Sequence, residues 1–526
     1  MNEFIECHKD EIAGVLSGFD RVLFRGTLRA LYALTVMDRY LASKRVLYKD
    51  FGKHAEQISD RLKRASLSRA EREGRPIQYL ASSSVSKEEI ARQIARRDKV
   101  ENGLVCVLSC VEPCVSFDIY RCREQRQLVL QRRQRKCLHL YQYWMHPKLG
   151  FLHGRIQTWF PFTIQICLNG REWLARQMDQ AGMGYTRRDN CFVSVGDYER
   201  AQKWLNEQLH ADWPGLLGEL AGELNPAHAE IFGDFTANYY WSTLQSEWAT
   251  DVVFRRRQRL ERLYPRLLHH GITSFHSQDV LRFLGRRLTT CGRVPGTLES
   301  EVRSDIKTRQ EGARLKHWAN GNTIKIYDKA YSQVGNVLRV ETSIYHEEDF
   351  KVYRPKEGDP DGELQWRAMR RGIADLYRRA EVSQAANDRY LSALAGIDDT
   401  ATVEELVHRL EQPVQWGGQR LRGLRLFRAE DAALLGFISR GDFCLNGLRN
   451  RDLQAHLFAA PTPDPREAKR RSGKATRWIR LLRAHGLLRK VPHTHRYLVT
   501  ESGRKALTAI ATARRATVAQ LSALAA

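Results

Sequence analysis

The run from Lys136 to Gly170, KCLHLYQYWMHPKLGFLHGRIQTWFPFTIQICLNG, constrains the fold more than any other part of the chain. It reads as three consecutive strands, with His146 to Gly150 forming a turn and Pro161 interrupting the next pair. Strands joined so tightly pair antiparallel, because a parallel pair needs a long crossover. The following REWLARQMDQAG returns to a helical pattern. KEEIARQIARRDKV (87–100) is helical, GLVCVLSCV (103–111) is a short apolar strand, and GFDRVLFRGTLRAL (18–31) begins strand-like and turns basic. This mixture predicts a multidomain α+β protein with antiparallel sheet in its N-terminal and central regions. PKEGDPDGE (355–363) and APTPDPREAKRR (460–471) read as exposed connections. Between them, residues 366–410 read as helices, with Thr402 as an N-cap. The expected divisions are 1–130, 131–230, 231–355, 366–425 and 430–526. No repeat occurs at solenoid or propeller periods.

Charge narrows the partner. Among 526 residues, 85 Lys and Arg face 61 Asp and Glu, a net charge of +24. Such an excess calls for a polyanion, nucleic acid before an anionic surface. Residues 461–526 hold 15 basic and 3 acidic residues, so 15 − 3 = +12, half the total. A second concentration, RCREQRQLVLQRRQRK (121–136), precedes the aromatic stretches LHLYQYWMHP and TWFPF. Arg132, Arg133, Arg135 and Lys136 beside exposed rings would hold single strands or RNA. The alternative is a core sheet with one charged edge strand.

No stretch of about 20 residues is free of charge, so no membrane span is expected. The start, MNEFIEC, lacks a basic region followed by an apolar one, so a cytoplasmic location is expected. The ten Cys then read as reduced thiols. Cys106, Cys110 and Cys114 fall in one run, and zinc is not expected even with Cys122, Cys137 or His139 nearby.

From Leu434 onward the order is helix, short segment (DFCL), helix, Pro-rich loop, helix (GKATRWIRLLRAHG), strand (LLRKV), turn (PHTH), strand (RYLVT) and helix. The stretch IRLLRAHGLLRKVPHTHRYLVTESGRKAL resembles MarR-type bacterial winged-helix regulators over roughly the last 90 residues. The resemblance implies a winged helix-turn-helix. Ile479, Leu481, Leu482 and Leu487 would form its buried side. Arg470, Arg471, Lys474, Arg477, Arg480 and Arg483 would face DNA, with Lys490 and Arg496 flanking a wing tip at Pro492 to His495. A solvated basic helix or a protein-docking module is the plainer alternative.

TIKIYDK and VLRVETSI alternate as two antiparallel strands joined through Gly335-Asn336. Alternation places Thr323, Lys325 and Tyr327 on one face and Ile324, Ile326 and Asp328 on the other. The pattern IKIYDKA…LRVE, over about 35 residues, resembles a strand pair of plasmid and filamentous-phage replication initiators and related relaxases. That resemblance implies a metal-assisted Tyr attacking a DNA phosphate. Tyr327 would be the nucleophile, with Tyr239 and Tyr240 as rivals. Asp251, Asp328 and Glu341 would hold Mg²⁺ or Mn²⁺. Lys325 or Lys329 would stabilise a phenolate, and His317 would donate to a leaving group. The chain lacks the His-hydrophobic-His metal motif; the nearest run, His493-Thr494-His495, has a polar centre and sits on the wing. The plainer reading makes these charges cross-strand ion pairs and Tyr327 half-buried packing. As a whole the chain also resembles a widespread bacterial family that implies no mechanism.

No GxxxxGK[ST], GxSxG or HExxH occurs, so NTPase, serine-hydrolase and zincin readings lack support. The expectation is a DNA-processing protein of a mobile element, similar to replication initiators or transposases, with DNA as partner. The alternatives are a non-enzymatic regulator, in which the N-terminal part assembles oligomers or senses a ligand, and an RNA-binding ribonucleoprotein partner.

Overall fold

The computed structural model describes residues 2–124, 126–188, 190–233, 235–286, 301–309, 312–329, 335–359, 361–398, 403–439, 443, 448–458, 460, 462–491 and 494–518. Thr402, Pro492, His493 and all of the DFCL segment except Phe443 lie outside the described residues.

Thirteen strands follow one another from residue 12 to residue 344: β1 (Ile12–Leu28), β2 (Ile77–Leu80), β3 (Gly103–Cys122), β4 (Gln127–His146), β5 (Gly150–Gln157), β6 (Ile164–Leu168), β7 (Tyr185–Arg188), β8 (Cys191–Val195), β9 (Tyr239–Phe254), β10 (Val302–Arg309), β11 (Gly312–Ala319), β12 (Asn322–Asp328) and β13 (Val337–Ile344). All but the β7–β8 hairpin join one 11-stranded sheet, in the order β10-β11-β12-β13-β9-β1-β6-β5-β4-β3-β2. Among the described residues only the β2–β3 pairing is parallel. The protein is therefore α+β, with antiparallel pairing predominating. Residue 130 falls within β4, and the sheet takes strands from both sides of residue 230.

The sheet repeats one plan. β1 is followed by helices and then by the antiparallel run β3 to β6, whose last strand returns to pair with β1. β9 is followed by helices and by β10 to β13, whose last strand returns to β9. The two long strands lie antiparallel at the centre. Unequal lengths, 20 residues in β3 and 8 in β10, hide this duplication from any fixed-period reading.

One face of the sheet is apolar and roofed by helices. Phe51–Arg72 and Trp213–Leu224 cover the β1–β6 side. Arg257–Thr273, Ser277–Phe283 and Leu376–Leu394 cover Val252, Ile324, Ile326, Leu338 and Val340. On the other face, Lys87–Arg97 packs over β3 to β5. Helices Gly170–Gln180 and Tyr198–Glu207 pack there with the β7–β8 hairpin against Leu16.

A small hairpin pairs β14 (Lys351–Arg354) with β15 (Gln365–Ala368). This corrects the helix expected from Trp366. Trp366 packs across the hairpin against Tyr353 with its ring tilted, and the helix begins only at Leu376. After helix Val403–Glu411 comes a two-stranded turn, β16 (Val414–Trp416) and β17 (Gln419–Leu421). The C-terminal module then runs through helices Ala429–Ile438, Asn450–Leu457 and Pro465–Ala484, the hairpin β18 (Leu488–Lys490) and β19 (Tyr497–Val499), and helix Glu501–Arg515. A bridge from Leu448 to Tyr497 adds a third strand position to the hairpin. The long helix starts at Pro465, earlier than the sequence pattern suggests, because Asp464 caps it by accepting from the Arg466 amide. Half of the expected 460–471 loop is thus helical.

Candidate functional site

Register fixes which side chains share the open face. Tyr327 lies opposite Arg339 and Arg339 opposite Asp251; Lys325 lies opposite Glu341, and Ser343 opposite Glu247. With a side-chain period of two, all of these project on the side away from the helical roof. β1 contributes through a bulge. Phe19 pairs with Trp248 and Arg21 with Glu247, leaving Asp20 as the inserted residue. A bulge re-aims a side chain, and here it brings Asp20 in among the acids of β9 and β13.

Ligating oxygens of Asp20, Glu247 and Glu341 lie within 4.8 Å of one another. Their environments differ. Asp251 is gripped by two guanidiniums: Arg339 Nε at 2.5 Å and Arg171 Nη2 at 3.0 Å. Burial raises its carboxyl, but Arg339 and Arg171 overcome this and hold it below the usual range. Glu341 accepts from Lys325 Nζ at 2.6 Å and from the Tyr327 hydroxyl at 2.5 Å. Burial works against its ionisation too, yet Lys325 and Tyr327 bring it to about 2. Asp20 meets Arg339 Nη1 at 3.2 Å and accepts from Asn190 Nδ2. Its carboxyl is raised, by burial foremost. Glu247 accepts from the neutral Gln245 amide at 2.9 Å, and burial together with the nearby Glu341 charge pushes it up to about 7. Among the described residues Glu247 is therefore the carboxyl of the cluster without a cation in hydrogen-bond contact.

Arg171 reaches this position because Asn169 caps the helix Gly170–Gln180 by accepting from the Arg171 and Glu172 amides. The buried guanidinium also donates to the Ala249 carbonyl. On the solvent side stand exposed Arg21, which donates to Cys167 Sγ, and the Tyr345 hydroxyl, which accepts from Gln245.

The expected metal set is corrected. Asp251 and Glu341 share a face, but the two guanidiniums occupy Asp251. Asp328 alternates to the roofed side, near Tyr264. Asp20 and Glu247 stand where Asp251 and Asp328 were expected. His317 is also corrected as a proton donor to this site. It is fully buried under the roof between Ser304 Oγ (2.7 Å) and the Tyr390 hydroxyl (2.9 Å), and burial lowers its pKa to about 4. Lys329 lies over the Tyr327 ring at 5.8 Å, so it does join the cluster. Tyr327 is 6% exposed, and burial raises its hydroxyl well above 10. Tyr239 is half-buried with its hydroxyl donating to the Phe162 carbonyl, and the exposed Tyr240 lies under the Arg29 guanidinium.

No family model, curated protein or solved structure matches this chain.

The basic residues of the C-terminal module divide into two groups. Arg470 and Arg471 both bind Glu467, and Lys474 lies 3.7 Å from Glu430. Arg477 is exposed. Arg480 and Arg483 line a cavity of about 670 Å³ together with Arg449, Arg451, Trp416 and Tyr497, and no Asp or Glu among the described residues lines it. Arg483 sits over the Trp416 ring at 4.9 Å and the Tyr497 ring at 5.7 Å. Such stacking fixes the direction of a guanidinium without neutralising it. Lys490 is exposed and Arg496 half-buried on the hairpin. In the β3–β4 hairpin, Arg133 and Arg135 share Asp118, Arg132 lies over the Tyr32 ring, Arg135 over Trp159, and Lys136 is exposed. Cys106 and Cys110 are buried in the core of that region, and Cys114 is hydrogen-bonded to Cys137.

Proposed function

We propose that the chain is a nucleic-acid-binding protein, a DNA-processing protein of the mobile-element kind, whose C-terminal module acts as a winged helix. One observation carries this reading: the cavity framed by Arg449, Arg451, Arg480 and Arg483, two aromatic rings and no carboxylate. Arg451 lies 3.7 Å from Asp452, but Arg449, Arg480 and Arg483 have no acid lining the same space among the described residues, and a phosphate backbone would supply the negative charge. The long helix would approach a duplex with Arg477 and Arg480, the hairpin with Lys490. The test is duplex binding against salt for Arg477→Ala combined with Arg480→Ala. The slope of log K on log salt is expected to shrink by about 2, close to 0.9 per lost phosphate contact. An unchanged slope would reassign the module to protein contacts.

A second reading, strand cleavage, is favoured by the convergence of Asp20, Glu247 and Glu341. Hard oxygen donors in that number suit Mg²⁺ or Mn²⁺, and such an ion would polarise a phosphoryl oxygen. Glu247 would serve as one of the ion's ligands, which requires its carboxylate form. Tyr327 would then position Glu341 rather than attack. Cleavage of labelled DNA with Mn²⁺ is expected to persist in Tyr327→Phe and to disappear in Glu247→Gln. A covalent adduct lost in Tyr327→Phe would reverse those roles. Absence of any cleavage would leave a binding protein without this chemistry.

A further inference from the structure

β3 and β4 are far longer than the sheet that holds them. They pair from Gly103–Met145 to Cys122–Gln127. β2 accompanies β3 only from Val107 to Cys110, and β5 accompanies β4 only from His139 to His146. Residues 111–122 and 127–138 therefore continue as a two-stranded ribbon, about 40 Å long at ~3.3 Å per residue. The ribbon is anchored along its length. Phe117 and Leu130 are buried in the main core. Trp159 Nε1 donates to the Phe117 carbonyl, and Gln157 Nε2 to the Val115 carbonyl.

Charge along the ribbon is graded. Its middle is partly neutralised, since Asp118 serves both Arg133 and Arg135. Toward the tip, Arg121, Arg123 and Arg126 are all exposed, with Glu124 the one acid among the described residues of the turn. Tyr120 and Leu128, 41% and 38% exposed, lie beside them. Exposed apolar groups next to like charges are costly on a strand tip facing only water.

We infer that this ribbon is a second DNA contact, entering the major groove of a duplex with the Arg121–Arg123–Arg126 tip. The inference rests on the nucleic-acid reading of the chain. The groove is about 12 Å wide and admits a two-stranded β-ribbon. The major groove of an A-form RNA helix is too deep and narrow to admit one. A single strand would need a row of exposed rings, and near the tip only Tyr120 is available. Flanking phosphates and guanine edges both suit arginine.

The experiment uses the full chain and three probes: a DNA duplex, single-stranded DNA of the same length and an RNA duplex. In the variant carrying Arg121→Gln, Arg123→Gln and Arg126→Gln, affinity for the DNA duplex is expected to fall at least tenfold at moderate salt. The salt slope should drop by about 2–3, while binding to the other two probes changes little. An unchanged thermal transition would show that the exposed substitutions leave the fold intact. The Arg477→Ala/Arg480→Ala protein separates the two proposals. If it loses duplex affinity and the tip variant does not, the ribbon is not a DNA contact. If neither changes, the nucleic-acid reading itself fails. Equal loss on all three probes would mean a non-specific charge effect and would overturn insertion into a groove.

Discussion

Four carboxylates are sunk into one sheet face, and the positive charge each can reach sets its behaviour. Asp251 and Glu341 have cations in hydrogen-bond contact, whereas Glu247 has a neutral amide and an acidic neighbour. A carboxyl whose pKa rises on folding favours the native state at low pH. That advantage is complete below its unfolded value and is lost as pH climbs through the folded value. For Glu247 the window runs from its ordinary 4.5 to about 7. Glu247→Gln should therefore gain stability relative to the parent as pH rises from 5 to 8, by on the order of 2 kcal/mol, read from urea midpoints. Mn²⁺ should narrow that gap by stabilising the parent alone. A flat difference across this range would contradict the assignment. Arg339 is the opposite case: wholly buried, it compensates both Asp251 and Asp20. Arg339→Met leaves Asp20 without its cation and Asp251 with Arg171 alone, and should cost about 3–5 kcal/mol. Adding Asp251→Leu should recover part of the loss. Glu341, Lys325 and Tyr327 were legible from alternation within one hairpin. Glu247 could have been found from its spacing, four residues before Asp251 and hence on the same strand face. Asp20 could not, because a bulge is defined by a partner strand more than 200 residues away.

At the scale of elements, the site depends on the contact between the β1 bulge and the start of helix Gly170–Gln180. A Cβ on Gly170 would lie 2.1 Å from the Phe19 carbonyl oxygen, a backbone atom that cannot swing aside. Gly170→Ala should therefore push the helix off the sheet, destabilise by about 1–3 kcal/mol and displace both Arg171 and Asp20. Reduced stability together with weakened Mn²⁺ binding is the expected pair of readouts. Loss of stability alone would separate the bulge from the proposed cation site. Elements carried by local alternation, such as β4, β5, β6, β12 and β13, were readable in the sequence. So was the helix at 170–180, which has its own cap. Two were misread for definite reasons. Pro465 looked like a loop residue, although proline suits the first turn of a helix. Trp366 falls at helical spacing with later apolar residues, yet its partner is Tyr353 across a hairpin. The 22-residue helix Phe51–Arg72 buries small and polar residues such as Ala55, Ser59 and Ser66, so its apolar stripe is faint in the sequence.

For the whole molecule, the distribution of cores determines how its parts can act separately. Among the described residues, the cluster joining Leu410, Leu435, Trp478, Leu482 and Ile510 draws only on residues from Leu406 onward. The clusters under the large sheet draw only on residues before it. Lys505 and Glu3 form a long-range ion pair across the two, at 3.4 Å and partly exposed. Such a pair is worth about 0–1 kcal/mol, far too little to make two cores melt together. Calorimetry of the full chain should therefore show two unfolding transitions. A duplex bound mainly by the C-terminal module should raise the smaller one, by an amount set by ligand concentration over Kd. Mn²⁺ should raise the larger one, because Asp20, Glu247 and Glu341 all belong to the sheet. If the ribbon also grips the duplex, DNA will raise both transitions in the parent but only the smaller one in the Arg121→Gln/Arg123→Gln/Arg126→Gln protein. A single transition moved as one by either ligand would mean that the two bodies are coupled more strongly than their separate cores imply.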